Sequence, residues 1–547
     1  MKRIISLLLI CLCISGIFQR IEAQEMVCPK YEIRAMWLTT IGGIDWPHSY
    51  SPSLQKEELC RTLDKLKRAG INTVFLQTRV RGTTIYPSTI EPWDGCITGR
   101  PGKAPNYDPL QFAIDECHRR GMQLHAWVVT IPIGKWNKYG CAQLRKTHPK
   151  IVTKIGDEGY MNPEKTETAD YLANICREIV KRYDVDGVHL DYIRYPETWK
   201  LRVSRQKGRS NITTIVRKIY HTVKAIKPWV MVSCSPIGKH DDLLRYSSHG
   251  WNARTTVCQD AQMWLKEGVM DALFPMMYFR DNNFFPFAID WKEHSYQRFV
   301  VPGLGIYFLD PKEGRWTIDV VERQLNVLRQ IGLGHCFFRS KFFTDNVKGI
   351  YELGSRFDAT PSLIPPMTWM SNKRPSRPQS LTLNDGILKW GTENNGMRDT
   401  YLLYNVYASK EYPVDITKAS NLVATRLMKN ELHVQPGLFY AVTAQDRYGL
   451  ESDALQIDAP EFRQSSAFSP LSIQITTGII DLPSKGATLD ADYIVIETIL
   501  GQTLEIRPYS GKTLNISSLP DGIYQLRSLG RKGRNHRIGY FSLKHER

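Results

Sequence analysis

From residue 32 to 357, short apolar runs alternate with stretches whose apolar residues recur every three or four positions. The runs at 33–41, 73–80, 124–130, 187–195, 230–237, 272–279, 300–308 and 336–343 predict strands. They are near-continuous rather than alternating, as strands covered on both faces are. Between them, Leu59, Leu63 and Leu66 keep helical spacing, as do Leu172, Ile175, Cys176, Ile179, Val180 and Tyr183. So do Ile212, Ile215, Val216, Ile219, Val223 and Ile226, and later Val321, Leu325 and Leu328. Eight such strands alternating with helices predict an α/β fold, a (β/α)8 TIM barrel with enlarged loops, over 30–358. A doubly wound open sheet is the alternative. It would usually carry a Gly-rich phosphate loop after its first strand, and Ile41-Gly42-Gly43-Ile44 is not one.

Beyond the barrel the pattern changes. Residues 359–379 hold five prolines (Pro361, Pro365, Pro366, Pro375 and Pro378) and read as a linker. From 380 to 460 the helical period vanishes, and 381–383, 387–390, 401–408 and 440–445 predict short strands of a β-sandwich. Asn384-Asp385-Gly386 predicts a hairpin turn there. Strands at 494–499, 503–506, 515–516, 524–529 and 538–543 predict a second small all-β unit over 465–547. Met1-Lys2-Arg3, an apolar run to Phe18 and Ala23 before Gln24 predict a secretory signal over 1–23, hence export to the periplasm or cell surface. No later stretch reaches the ~20 apolar residues of a spanning helix.

Hydrophobic content of 42% and charged content of 23% are those of an ordinary globular chain. The net charge of +17 is spread along the chain rather than held in a tail, and favours acidic partners or simply solubility. No nucleic-acid-binding motif accompanies it. Two of the eleven cysteines lie in the signal; the other nine form no C-x-x-C pair and no zinc spacing, so buried free thiols are expected for most. No metal or cofactor is predicted. The absence of G-x-S-x-G and of a P-loop argues against a serine hydrolase and against phosphoryl transfer.

The chemistry is expected where strand ends converge. Asp191 closes the run Asp186-Gly187-Val188-His189-Leu190-Asp191 and is the first candidate acid. Carboxyls, aromatic rings and fixed donors gathered at one rim are what glycoside hydrolysis needs, with one carboxyl protonated and one ionised, so Asp281 after the sixth strand, then Glu91 and Asp45, are candidate partners. Arg79 or Arg194 beside Asp191 would lower its pKa and keep it charged. That makes Asp191 the ionised carboxylate and Asp281 the acid/base. Arg79, Trp93, His125, Trp127, His189, Arg194, Tyr195, Tyr278, Tyr307 and Lys341 are the expected substrate contacts, since rings stack on sugar faces and cations or imidazoles donate to hydroxyls. The two histidines also suit a satisfied core, and Glu91 also suits an ion pair that holds its loop.

Asn72-Thr73-Val74-Phe75-Leu76-Gln77-Thr78-Arg79, Tyr86-Pro87-Ser88, Glu91-Pro92-Trp93, Tyr107-Asp108-Pro109-Leu110 and Leu124-His125-Ala126-Trp127 resemble the bacterial glycosyl hydrolase-like family 10. Asp186–Asp191, Val232–Gly238, Pro275–Tyr278 and Gly303–Tyr307 continue the resemblance over nearly the whole barrel. It implies a TIM barrel acting on a glycan, with peptidoglycan strands as one substrate class. The chain departs from the family's pattern at Tyr192, where a second acid is common, at Val128–Pro132 in place of Asn-Pro-Tyr-Arg, and at Phe279-Arg280 in place of Trp-Glu. Leu388-Lys389-Trp390, Tyr401–Tyr407 and Tyr440–Ser452 resemble a fibronectin type III domain, and Asn515–Tyr524 resembles C-terminal β-sandwich modules of exported Bacteroidetes proteins. The chain is therefore expected to be an exported glycoside hydrolase acting on a polysaccharide or on peptidoglycan. The alternative, which rests on Tyr192, is a surface glycan-binding protein whose barrel has lost hydrolysis.

Overall fold

The structure is a computed structural model that describes residues 28–246, 248, 250–391, 401–457, 474–476, 478–481, 493–498, 502–508, 513–529 and 535–545. The expected signal lies outside them. Nine parallel strands form one curled sheet: β1 (Arg34–Leu38), β2 (Thr73–Arg79), β3 (Gln123–Val129), β4 (Gly187–Asp191), β5 (Met231–Cys234), β6 (Ala272–Leu273), β7 (Phe299–Val300), β8 (Gly303–Leu304) and β9 (His335–Phe337). Their order is β7-β6-β5-β4-β3-β2-β1-β9-β8. The two end strands are separated in sequence only by Val301 and Pro302. Val301 donates its amide to Leu273 on one side, and Pro302 accepts from Cys336 on the other.

Every expected strand is present, but several are shorter than the apolar runs that predicted them. The runs continue past the last ladder hydrogen bond into rim segments that are apolar for other reasons. The sixth stops at Leu273, and the eighth ends at Phe337 before a helical turn, Ser340–Thr344. Alternate positions divide two cores. Trp37, Phe75, Trp127, Met231, Phe274 and Cys336 face one another inside the curl. Met36, Val74, Leu76, Val188, Leu190 and Val232 face the helices outside. Period-2 geometry sends neighbours to opposite faces, so continuous apolarity is what a sheet covered on both sides requires.

The Pro-rich stretch is only partly a linker. Ile364 and Met367 are buried against the inner core, Trp369 donates to Asp271 at 3.0 Å, and its ring packs on Phe299 at 4.8 Å. Its first half thus closes the N-terminal end of the sheet, opposite Asp191. Beyond it, a three-stranded and a four-stranded antiparallel sheet share a core of Leu388, Trp390, Tyr404, Val406, Tyr440 and Val442. The expected hairpin is there: Asp385 (φ 48°) and Gly386 (φ 72°) are both left-handed, as a type I′ turn demands. Arg426–Asp186 and Arg447–Asp184 pairs, both 2.7 Å, fix this unit to the segment that leads into β4. A five-stranded and a two-stranded sheet follow near the C-terminus. Among the described residues no helix is long and apolar enough to cross a membrane. Seven of the nine cysteines from Cys28 onward are buried, none of them paired.

Candidate functional site

Asp191 is the last residue of β4, and donors from two neighbouring strands reach it. The Trp127 indole on β3 donates to Oδ2 at 3.1 Å, and the Ser235 hydroxyl, one residue past β5, donates to Oδ1 at 2.8 Å. The Tyr192 amide also donates to Oδ1 at 2.8 Å. Tyr192 reaches it by adopting a left-handed backbone, φ 53°, a conformation that costs a non-glycine residue on the order of 1 kcal/mol or more. The Thr130 amide and hydroxyl hold the Asp191 carbonyl at 2.9 and 2.8 Å. The carboxyl is therefore fixed in direction by groups that are themselves fixed.

Asp191 is 6% exposed. Burial pushes its carboxyl above the ordinary aspartate value; the Ser235, Tyr192 and Trp127 donors and the Arg194 charge oppose that shift without reversing it. Arg194 thus lowers the carboxyl as expected, but burial outweighs it, so the expected net lowering is overturned. Arg79 is spent elsewhere, and Arg194 binds Glu197 at 2.5 Å. A carboxyl raised by desolvation suits proton transfer better than permanent charge.

The partner candidates lie in three different settings. Glu91 is buried and receives Arg79 Nη2 at 2.6 Å, Arg79 Nε at 2.8 Å and the Tyr171 hydroxyl at 3.0 Å. Arg79 also donates to the Thr130 carbonyl at 2.9 Å. This is a closed structural pair. Asp45, after β1, is buried against Arg339 and the Thr39 amide, and burial raises its carboxyl despite that arginine. Asp281 is on the surface, 59% exposed, and paired with Arg323. No hydrogen bond ties any of the three to Asp191.

Several expected substrate contacts are buried. His189 accepts from the Trp37 indole at 3.2 Å, bonds Ser233 at 2.9 Å and stacks on Phe75 at 4.3 Å, in the inner core. His125 packs on Phe75 at 5.1 Å and bonds Gln123 at 3.0 Å. Burial lowers both imidazoles, His125 to about 4, so both are neutral at pH 7. Arg79, Trp127, Arg194 and Tyr195 are each less than 5% exposed. Trp127 serves Asp191 instead, and Tyr195 accepts from Asn211 at 3.1 Å.

Tyr278, Tyr307 and Trp93 are half-buried, and Lys341 is exposed and paired with Asp345. Tyr278 stacks on Phe338 at 5.4 Å and meets Tyr307 edge-on at 5.6 Å, which gives an aromatic wall past β6, β8 and β9. Burial raises the Tyr278 hydroxyl. Sequence reasoning did not pick out Ser235 or Trp251. Ser235 had a signal, since it follows its strand much as Asp191 ends its own. Trp251 lies in an aperiodic loop and had none.

The sequence profile of Glycosyl hydrolase-like 10 matches residues 32–307. "Glycosyl hydrolase YngK" of Bacillus subtilis (strain 168) is 28% identical over 471 residues, which cover 77% of this chain and 92% of that protein. "Glycosyl hydrolase DigH" of Escherichia coli (strain K12) is 32% identical over 286 residues, 45% of this chain and 65% of that protein. Among solved structures, the PgaB (BpsB) glycoside hydrolase domain from Bordetella bronchiseptica aligns with 59% of this chain and 98% of its own, at 13% identity and a TM-score of 0.42.

Proposed function

Because the chain belongs to the Glycosyl hydrolase-like 10 family, we propose that it is an exported glycoside hydrolase that cleaves glycosidic bonds of a polysaccharide or of peptidoglycan glycan strands. In this reading the sheet is a closed (β/α)8 barrel, with 299–304 as the seventh strand joining both edges. The unit from 380 to 460 is a fibronectin type III-like module, and 465–547 is a C-terminal β-sandwich. The observation that carries the proposal is Asp191 itself: a buried carboxyl at a strand's C-terminal end, raised by desolvation and aimed by three donors.

Asp191 then gives a proton to the leaving oxygen. This exchanges the roles expected from sequence. Glu91 is committed to Arg79 and Asp45 to Arg339, which leaves Asp281 as the second carboxylate; its exposed pair with Arg323 is of a kind that is easily broken. Tyr278, Tyr307 and Trp93 supply sugar contacts. The second reading, a glycan-binding protein without turnover, draws support from Tyr192 standing where relatives commonly carry another acid. Incubation with peptidoglycan and a panel of polysaccharides separates the two. New reducing ends support hydrolysis; binding without them supports the second reading.

A further inference from the structure

Tyr192 has two roles that its sequence position alone does not suggest. Its amide is turned onto Asp191 by the left-handed backbone, while the residue as a whole is 39% exposed. Beneath its ring lies the Arg194 guanidinium, 4.7 Å from the ring centroid. The same guanidinium lies 5.8 Å from the ring of Trp251, which is 44% exposed. Arg194 itself is buried and held by Glu197. Two large rings thus flank one fixed cation and turn area to solvent, and one of them is covalently adjacent to the acid. Exposed Tyr and Trp held this way lose little freedom on binding.

We propose that Tyr192 and Trp251, braced on Arg194, form an aromatic platform for one pyranose ring of a glycan chain, next to the bond that Asp191 serves. The proposal rests on the glycan-hydrolase reading for the identity of the occupant. The apolar face of the sugar covers the rings, and its hydroxyl edge stays in water.

The test uses the full chain carrying Asp191→Asn, titrated by calorimetry with peptidoglycan glycan strands freed of peptides and with chitin, cellulose and xylan oligosaccharides of six sugars. Tyr192→Gly keeps the left-handed backbone and the amide while removing the ring; Trp251→Ala removes an exposed ring. Each is expected to weaken binding of the best probe about tenfold, the effect of uncovering one such ring. Tyr192→Phe is expected to bind like its parent. Parent-like binding by both ring deletions overturns the platform, as does failure of the parent to bind any probe. Turnover by the Asp191→Asn chain at the wild-type rate would instead overturn the catalytic reading and leave the binding result standing.

Discussion

Glu91 offers the sharpest separation between a structural carboxylate and a catalytic one. Its side chain and that of Arg79 are almost completely buried, and two guanidinium N–H groups, at 2.6 and 2.8 Å, meet its two oxygens. Glu91→Gln keeps shape and removes the charge. Arg79 then remains as a buried cation with only carbonyls and a thioether around it. Breaking a buried pair from one side costs about 3–5 kcal/mol, because the surviving charge stays desolvated. In a domain of this size that is about 2 °C of melting temperature per kcal/mol, so a fall of roughly 6–10 °C is expected. Scanning calorimetry measures it. The double variant Arg79→Met, Glu91→Leu should recover a large part of the loss, since apolar replacement of a buried pair is often neutral. An unchanged melting temperature together with abolished turnover would refute the structural assignment and make Glu91 the second carboxylate in place of Asp281.

Trp127→Phe removes one donor from the ionised form of Asp191. A hydrogen bond to a charged group is worth about 1.5–3 kcal/mol, and one pKa unit about 1.4, so the limb of the pH–rate profile set by Asp191 should move up by roughly one to two units. An unmoved limb would mean that Asp191 does not set it. His118 pairs with Asp186 at 2.8 Å; burial lowers the imidazole, the charge and hydrogen bond of Asp186 together outweigh that, and the net shift is upward. A raised histidine contributes stability that is complete below its unfolded value of about 6.5 and is lost as pH rises through the folded one. The stability advantage of wild type over His118→Gln, read by urea unfolding, should therefore shrink from pH 6 to pH 8; a constant difference would contradict the pair. A Cβ on Gly187 would lie 2.4 Å from His125 Nδ1, so Gly187→Ala should lower the melting temperature by several degrees, and His125→Ala in the same chain should restore part of it. No change would contradict the inner-core packing.

The strand pattern was legible because a parallel sheet covered on both faces writes itself as apolar runs between helical periods. The acid at the end of β4 was legible because one polar residue stood out at the end of such a run. What the sequence did not show was which polar residues are buried. His125 and His189 lie on strands at the inward-facing parity, which sequence does not separate from the rim. Arg79 looked free because its partner, Glu91, comes from a loop that folds back. The proline-rich segment was read from composition, while its Ile364, Met367 and Trp369 carry the packing. Asp191's upward shift was missed because arginines are visible in a sequence and desolvation is not.

In the proposed reading the buried carboxyl of Asp191 performs turnover. The most direct measurement is the rate of reducing-end release from glycan strands by Asp191→Asn, with circular dichroism confirming the native fold. Release at least a hundredfold slower, with fold and binding retained, is the predicted result; wild-type release by that variant would contradict the account.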